Sequence, residues 1–185
     1  MKTTIKQDRI ALKNLKVAEF ASEETLCFTA TVLFDGSAIA EASNGGYGGP
    51  TDVSPLQGKA ALLAEAEAFA RSLPPDRLES SASGDADAPF IIDVTLDYLV
   101  DLLATAQHAD RKLRTAYSRD INNKVLFIKD GKLLFLKRVK LKTIADRTTY
   151  FAKLREQQKQ PIVILAELPP DEAFALWKQH VLGSK

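Results

Sequence analysis

The chain has 185 residues, 45% hydrophobic and 26% charged, which is the composition of a folded soluble protein and excludes wholesale disorder. One cysteine, Cys27, and two histidines, His108 and His180, exclude an intrachain disulfide and supply too few ligands for a Cys/His zinc site. Net charge is +1, yet residues 18–110 hold sixteen carboxylates against three cations, and residues 111–160 hold fifteen Lys and Arg against four carboxylates. Such a separation implies a polyanionic partner for the basic part, an acidic surface that repels or imitates one, or mutual neutralisation on folding.

The length fits a single compact domain over residues 1–185, or two small ones over 1–78 and 90–185. Residues 12–20 are moderately apolar, and in residues 26–34 Phe28, Ala30, Val32 and Phe34 alternate with polar neighbours, the period of a half-buried strand. Asp35-Gly36 supplies a tight turn and residues 38–43 return, predicting a three-stranded antiparallel meander. Ser54-Pro55-Leu56-Gln57 reads as a capping box opening a helix. Leu56, Leu63, Ala66, Phe69, Ala70 and Leu73 form its buried stripe, and Pro74-Pro75 ends it. Residues 79–89, ESSASGDADAP, predict a mobile loop or linker.

Residues 90–92 form a short apolar stretch, and a helix is expected over 93–117. Its Asp93, Asp97 and Asp101 lie early and Arg111, Lys112 and Arg114 late, the order a helix macrodipole favours. A second hairpin, residues 124–130 and 132–142, turns at Asp130-Gly131 and leads to a helix over 144–158 that Pro161 closes. Residues 162–165 predict a strand buried on both faces. Residues 171–181 predict a terminal helix with Phe174, Trp177 and Val181 on one side. Strand runs followed by helix runs define an α+β fold with antiparallel sheets. No apolar run approaches the length needed to cross a bilayer and no signal-like segment opens the chain, so a cytoplasmic protein without a membrane partner is expected.

Three groups of residues could carry function. In the second hairpin Leu133, Phe135, Val139 and Leu141 share one parity and Arg138, Lys140 and Lys142 the other, a row of cations about 6.6–6.8 Å apart that can follow a nucleic-acid backbone. Lys124, Lys129, Lys132 and Lys137 widen the patch, and Arg147 adds the start of the next helix; an exposed strand guarded by lysines against edge pairing is the plainer account. The loop Ser43-Asn44-Gly45-Gly46-Tyr47-Gly48-Gly49 sets four glycines before a helix start, where backbone N–H groups could cradle a phosphate. It lacks the spacing of known phosphate loops, and a sharp connection is the simpler reading.

The turn Ser22-Glu23-Glu24-Thr25 offers carboxylates for a cation or for acid–base work. Neighbours on a strand face opposite ways, so only one of Glu23 and Glu24 is expected to serve a given site. No metal or cofactor is assigned. His108 and Asp110, two apart on a helix, cannot face each other, and Cys27 reads as an inert thiol.

The blocks FASEETLCF (residues 20–28), Asp35-Gly36 and SNGGYGG (residues 43–49) resemble a block shared by small proteins of bacteria, phages and plasmids. In that block the loop often reads N-D-G-x-G-G, and here Gly45 stands where the acidic residue would be. The resemblance implies an accessory role on mobile DNA, such as countering host defence. Taken together, the residues favour a non-enzymatic protein that contacts nucleic acid or an acidic protein through the basic hairpin. The alternatives are a nucleotide- or phosphate-binding enzyme using the glycine loop with Glu23 or Glu24, and an inhibitor acting through its acidic surface.

Overall fold

The computed structural model describes residues 5–78, 90–158 and 160–183, so the loop expected over 79–89 lies outside the described residues. The fold is α+β, with antiparallel sheets and four α-helices. The chain divides into two compact units, Met1–Ala109 and Asp110–Lys185.

The first unit is built on a meander of four strands in sequential order, β1 (Ile10–Val17), β2 (Phe28–Phe34), β3 (Ser37–Asn44) and β4 (Asp52–Pro55). Phe28, Ala30, Val32 and Phe34 are all buried, as their alternation requires. Asp35 and Gly36 turn between β2 and β3 with φ of 48° and 78°, the left-handed pair that matches strand twist. Arg9 clamps this turn, bonding Asp35 at 2.6 Å while its guanidinium lies 4.4 Å from the Phe34 ring. Helix α1 (Ala60–Ser72) packs Leu63, Ala66 and Ala70 into the same core, which Leu96, Leu99, Val100 and Ala104 of α2 (Leu96–Asn123) complete. A two-stranded ladder joins β5 (Asp76–Leu78) to β6 (Phe90–Ile92).

The fourth strand corrects the expected helix start. Ser54 and Pro55 extend the sheet, opposite Glu41 and Ala40, and the Ser54 hydroxyl donates to Asp52 at 2.9 Å in place of capping a helix. Proline is tolerated because β4 is the sheet edge, where its missing N–H breaks no ladder bond. The Leu56 N–H donates to the Ile39 carbonyl, so Leu56 does not belong to the helical stripe; α1 begins only after Gly58, at φ +72°.

In the second unit β7 (Leu126–Lys129) lies between β8 (Lys132–Phe135) and β9 (Val163–Ile164). Phe127 and Ile164 join a core with Phe151 and Leu154 of α3 (Arg147–Glu156), whereas Leu126, Ile128 and Leu133 join one with Phe174 and Trp177 of α4 (Pro170–Gly183). Cross-strand partners share a face, so the small sheet has a helix against each side. Asp110 accepts from Arg114 at 2.8 Å and Lys178 at 2.7 Å, and both cations also lie over the Phe174 ring. These bonds hold the Asp110 carboxyl below its ordinary range.

Four further expectations need correction. Helix α2 runs on to Asn123 because Tyr117 and Ile121 still have a core to pack against. Arg111, Lys112 and Arg114 therefore stand about two turns or more from its end, beyond the reach of the terminal dipole. Helix α3 starts at Arg147, not 144, because Asp146 accepts the Thr149 N–H at 3.0 Å as its N-cap. The strand predicted over 162–165 is two residues long, and Val163 is 44% exposed because it lies on the sheet edge. Val181 is likewise exposed, since only Ala173, Phe174 and Trp177 of α4 are buried.

Ile39, fully buried beneath α1 in the first core, and Ile91, exposed on β6, give a paired test of this packing. Ile39→Ala is expected to lower unfolding free energy by about 2–5 kcal/mol, and Ile91→Ala to change it by less than about 0.5 kcal/mol, both read from denaturant midpoints.

Candidate functional site

The basic stretch is not a long strand. β8 ends at Phe135; the Leu136 N–H then donates to the Val125 carbonyl, Arg138 takes φ +65°, and Leu141–Thr143 form a 3-10 turn. Arg138, Lys140 and Lys142 therefore do not share a strand face, which corrects the expected cation row. The cause is apolar. Leu136, Val139, Leu141 and Ile144 fold inward onto the core around Phe151 and Leu154, at spacings of two and three residues that a strand cannot present to one side.

The intervening cations are left outside. Lys132, Lys137, Arg138, Lys140, Lys142 and Arg147 are all exposed, and among the described residues none of the six is in an ion pair. The one carboxylate among residues 132–147, Asp146, is committed to the start of α3, and the Thr149 bonds hold its carboxyl below the ordinary range. The two other expected members sit at the margin: Lys124 is bonded to Asp120 at 2.8 Å and Lys129 to Gln158 at 3.1 Å. Phe135, assigned from its parity to the buried side, is 51% exposed, with the Lys124 ammonium 5.2 Å from its ring centroid.

The glycine loop closes on itself. Its Asn44 side chain is buried, accepting from the Thr25 hydroxyl and the Gly46 N–H at 2.9 Å each and donating to the Gly49 carbonyl and the Thr51 hydroxyl at 3.0 Å each. The Gly48 N–H donates to Thr25, so two of the N–H groups that could face a phosphate are already used. The Gly46 carbonyl in turn accepts from the N–H groups of Glu23, Glu24 and Thr25. Gly46 is at φ +91°, and a side chain there would collide with the Ala21 carbonyl; Gly48 is at φ +85° against Glu24. These glycines are therefore explained by close packing alone. Gly49 joins the closed loop through its carbonyl, and Gly45 lies against the Tyr47 ring.

Glu23 and Glu24 both line one open cleft of about 450 Å³ with Ser22, Thr25, Leu26, Asp101 and Thr105. That corrects the expectation that only one could serve: the segment is a bend, so strand alternation does not apply. Among the described residues no group of three or more His, Cys, Asp and Glu is placed to hold a metal ion. Asp101 accepts from the Thr51 hydroxyl, and burial pushes its carboxyl above the ordinary value against the effect of that bond. His108 lies 3.2 Å from Glu19, and half-buried Cys27 is held through its N–H by the Ser22 hydroxyl. Phe20, 94% exposed, and Tyr47 also stand on these two packed segments. Periodicity carries no signal for their exposure, because Phe20 sits in a three-residue 3-10 turn and Tyr47 in a loop.

No family model, curated protein or solved structure matches the chain. Among the described residues no helix is long and apolar enough to cross a membrane.

Two measurements probe the loop. Asn44→Ala strips partners from the buried Thr51 and from the Gly46 N–H, and is expected to destabilise the fold by about 2–4 kcal/mol in chemical unfolding. Asp101 binds a proton more tightly folded than unfolded, so its contribution is complete below its ordinary value of 3.8 and is lost as pH rises through the elevated native value. Asp101→Asn keeps an acceptor for Thr51 and cannot ionise. Its stability relative to the native chain should therefore rise with pH across that window and then level off, as followed by thermal melts in a pH series.

Proposed function

We propose that this is a non-enzymatic protein that holds nucleic acid on the exposed cations of residues 132–147. The observation that carries the reading is local and electrostatic: Lys132, Lys137, Arg138, Lys140, Lys142 and Arg147 crowd into one short segment, and among the described residues no carboxylate is paired to them. Their charge is available to displace counterions from a phosphate backbone, which is where most sequence-independent affinity arises. Inward-turned Leu136, Val139 and Leu141 fix the segment to a core, so the ammonium groups are presented from an ordered base. The glycine loop competes poorly as a phosphate site, because its Gly46 and Gly48 N–H groups have partners. The likeness of the N-terminal block to small proteins of bacteria, phages and plasmids extends the proposal to an accessory role on mobile DNA.

Fluorescence anisotropy of a labelled oligonucleotide tests the proposal. Binding should weaken steeply between about 50 and 200 mM salt, and the triple change Lys137→Glu, Arg138→Glu, Lys140→Glu should flatten the logarithmic salt slope by about two to three. These side chains are exposed, so circular dichroism should be unchanged. Absence of binding at low salt, together with salt-sensitive capture of an acidic protein by the same residues, would replace nucleic acid with the protein partner.

A further inference from the structure

Phe135 and the cations around it narrow the kind of nucleic acid. β8 is an edge strand, and its last residue is half exposed although it pairs with Leu126, which is almost wholly buried. Phe135 belongs to neither of the cores that α3 and α4 form with the small sheet. An isolated exposed apolar residue is ordinary, but this ring has cations both before and after it in the chain. Lys132 begins the same strand about 10 Å away, Lys137 and Arg138 follow within three residues, and the Lys124 ammonium, tethered by Asp120, lies over the ring. An exposed aromatic ring with one cation over it and others close by in the chain matches what an unpaired nucleotide requires: a surface for the base and counter-charge for its phosphates. In a duplex both faces of each base are already stacked and the ring has nothing to receive.

We propose that Phe135 is a stacking platform for an unstacked base, and that the ligand of the basic segment is single-stranded nucleic acid. This rests on the nucleic-acid reading above and goes beyond it by selecting the strand state. Charge supplies the salt-dependent part of the affinity and Phe135 a part that salt does not touch, so the two can be separated.

The full chain is titrated with a labelled oligothymidine of about twenty nucleotides and with a duplex of the same length, for the native protein, Phe135→Ala, Phe135→Leu and Phe135→Trp. Phe135→Ala is expected to bind the single strand roughly 5- to 150-fold more weakly, with the salt slope unchanged and duplex affinity unaffected. Phe135→Leu keeps apolar bulk without an aromatic face, so it should lose affinity equally while melting at the native temperature, which separates stacking from folding. Phe135→Trp should restore binding. If Phe135→Ala and Phe135→Leu bind as tightly as the native chain while the charge-reversed triple variant stays weak, the stacking role is wrong and the nucleic-acid reading stands. If the native chain prefers the duplex, strand selection is overturned, and if it binds neither oligonucleotide at low salt, both readings fall.

Discussion

A lysine cannot follow a leucine into an apolar core, and that rule shapes the second unit. Leu136, Val139, Leu141 and Ile144 all pack on Phe151 and Leu154. Transfer of such side chains out of water is worth about 1.5–3 kcal/mol when complete, whereas an unpaired buried charge costs several kcal/mol. The backbone meets both demands by abandoning the strand after Phe135 and adopting a positive φ at Arg138. Lys137, Arg138, Lys140 and Lys142 then face water because the residues between them do not. A basic surface thus follows from the packing of its apolar neighbours, without any contact between the cations themselves.

The first unit meets a different demand at its glycine loop. The meander brings Asn44, Thr51 and Asp101 together inside the fold, and each needs a partner once water is excluded. Hydrogen bonds run in one direction from Asn44 to Thr51 to Asp101, while Thr25 and the Gly46 N–H satisfy the Asn44 oxygen. Close approach of the Ser22–Thr25 bend permits this; at position 46 any side chain would meet the Ala21 carbonyl, and Gly48 is favoured by its positive φ. Glycine density is in this way a packing requirement, while the neighbouring carboxylate cleft is left open to solvent.

Where local pattern and tertiary packing agree, the sequence was informative. β2 follows from its period of two, and both hairpin turns follow from Asp-Gly pairs that do adopt left-handed φ. Legibility failed where one pattern has two solutions. Ser54-Pro55-Leu56-Gln57 is chemically a good helix start, but four more residues of β3 were waiting for partners, and Asp52–Pro55 supplied them. Alternation through Leu133, Phe135, Val139 and Leu141 imitates a strand, but the side chains that turn inward, Leu136, Val139, Leu141 and Ile144, fall on both parities. Nothing in that alternation distinguishes Leu141, which is buried, from Phe135, which is not. The basic segment could therefore be named from the sequence, but its shape and its aromatic neighbour could not.

The charge separation also resists a purely structural account. Asp97 in the first turn of α2 suits the helix dipole, but the last turn of that helix contains no cation. Arg147 is placed still less favourably, at the first position of α3, where the positive end of the dipole disfavours it by a few tenths of a kcal/mol or more, and no acidic residue stands in that first turn. Asp146 as N-cap offsets part of the cost for Arg147 and none of it for Lys140 or Lys142. Among the described residues, ion pairing accounts for Arg114, Lys124, Arg155 and Lys178 in this unit, and for none of the six cations in residues 132–147. Among the described residues, neither ion pairing nor the helix dipole accounts for the concentration of positive charge in this segment. The polyanion proposed above would supply a reason, because binding it would recover what mutual repulsion among those cations costs the free protein.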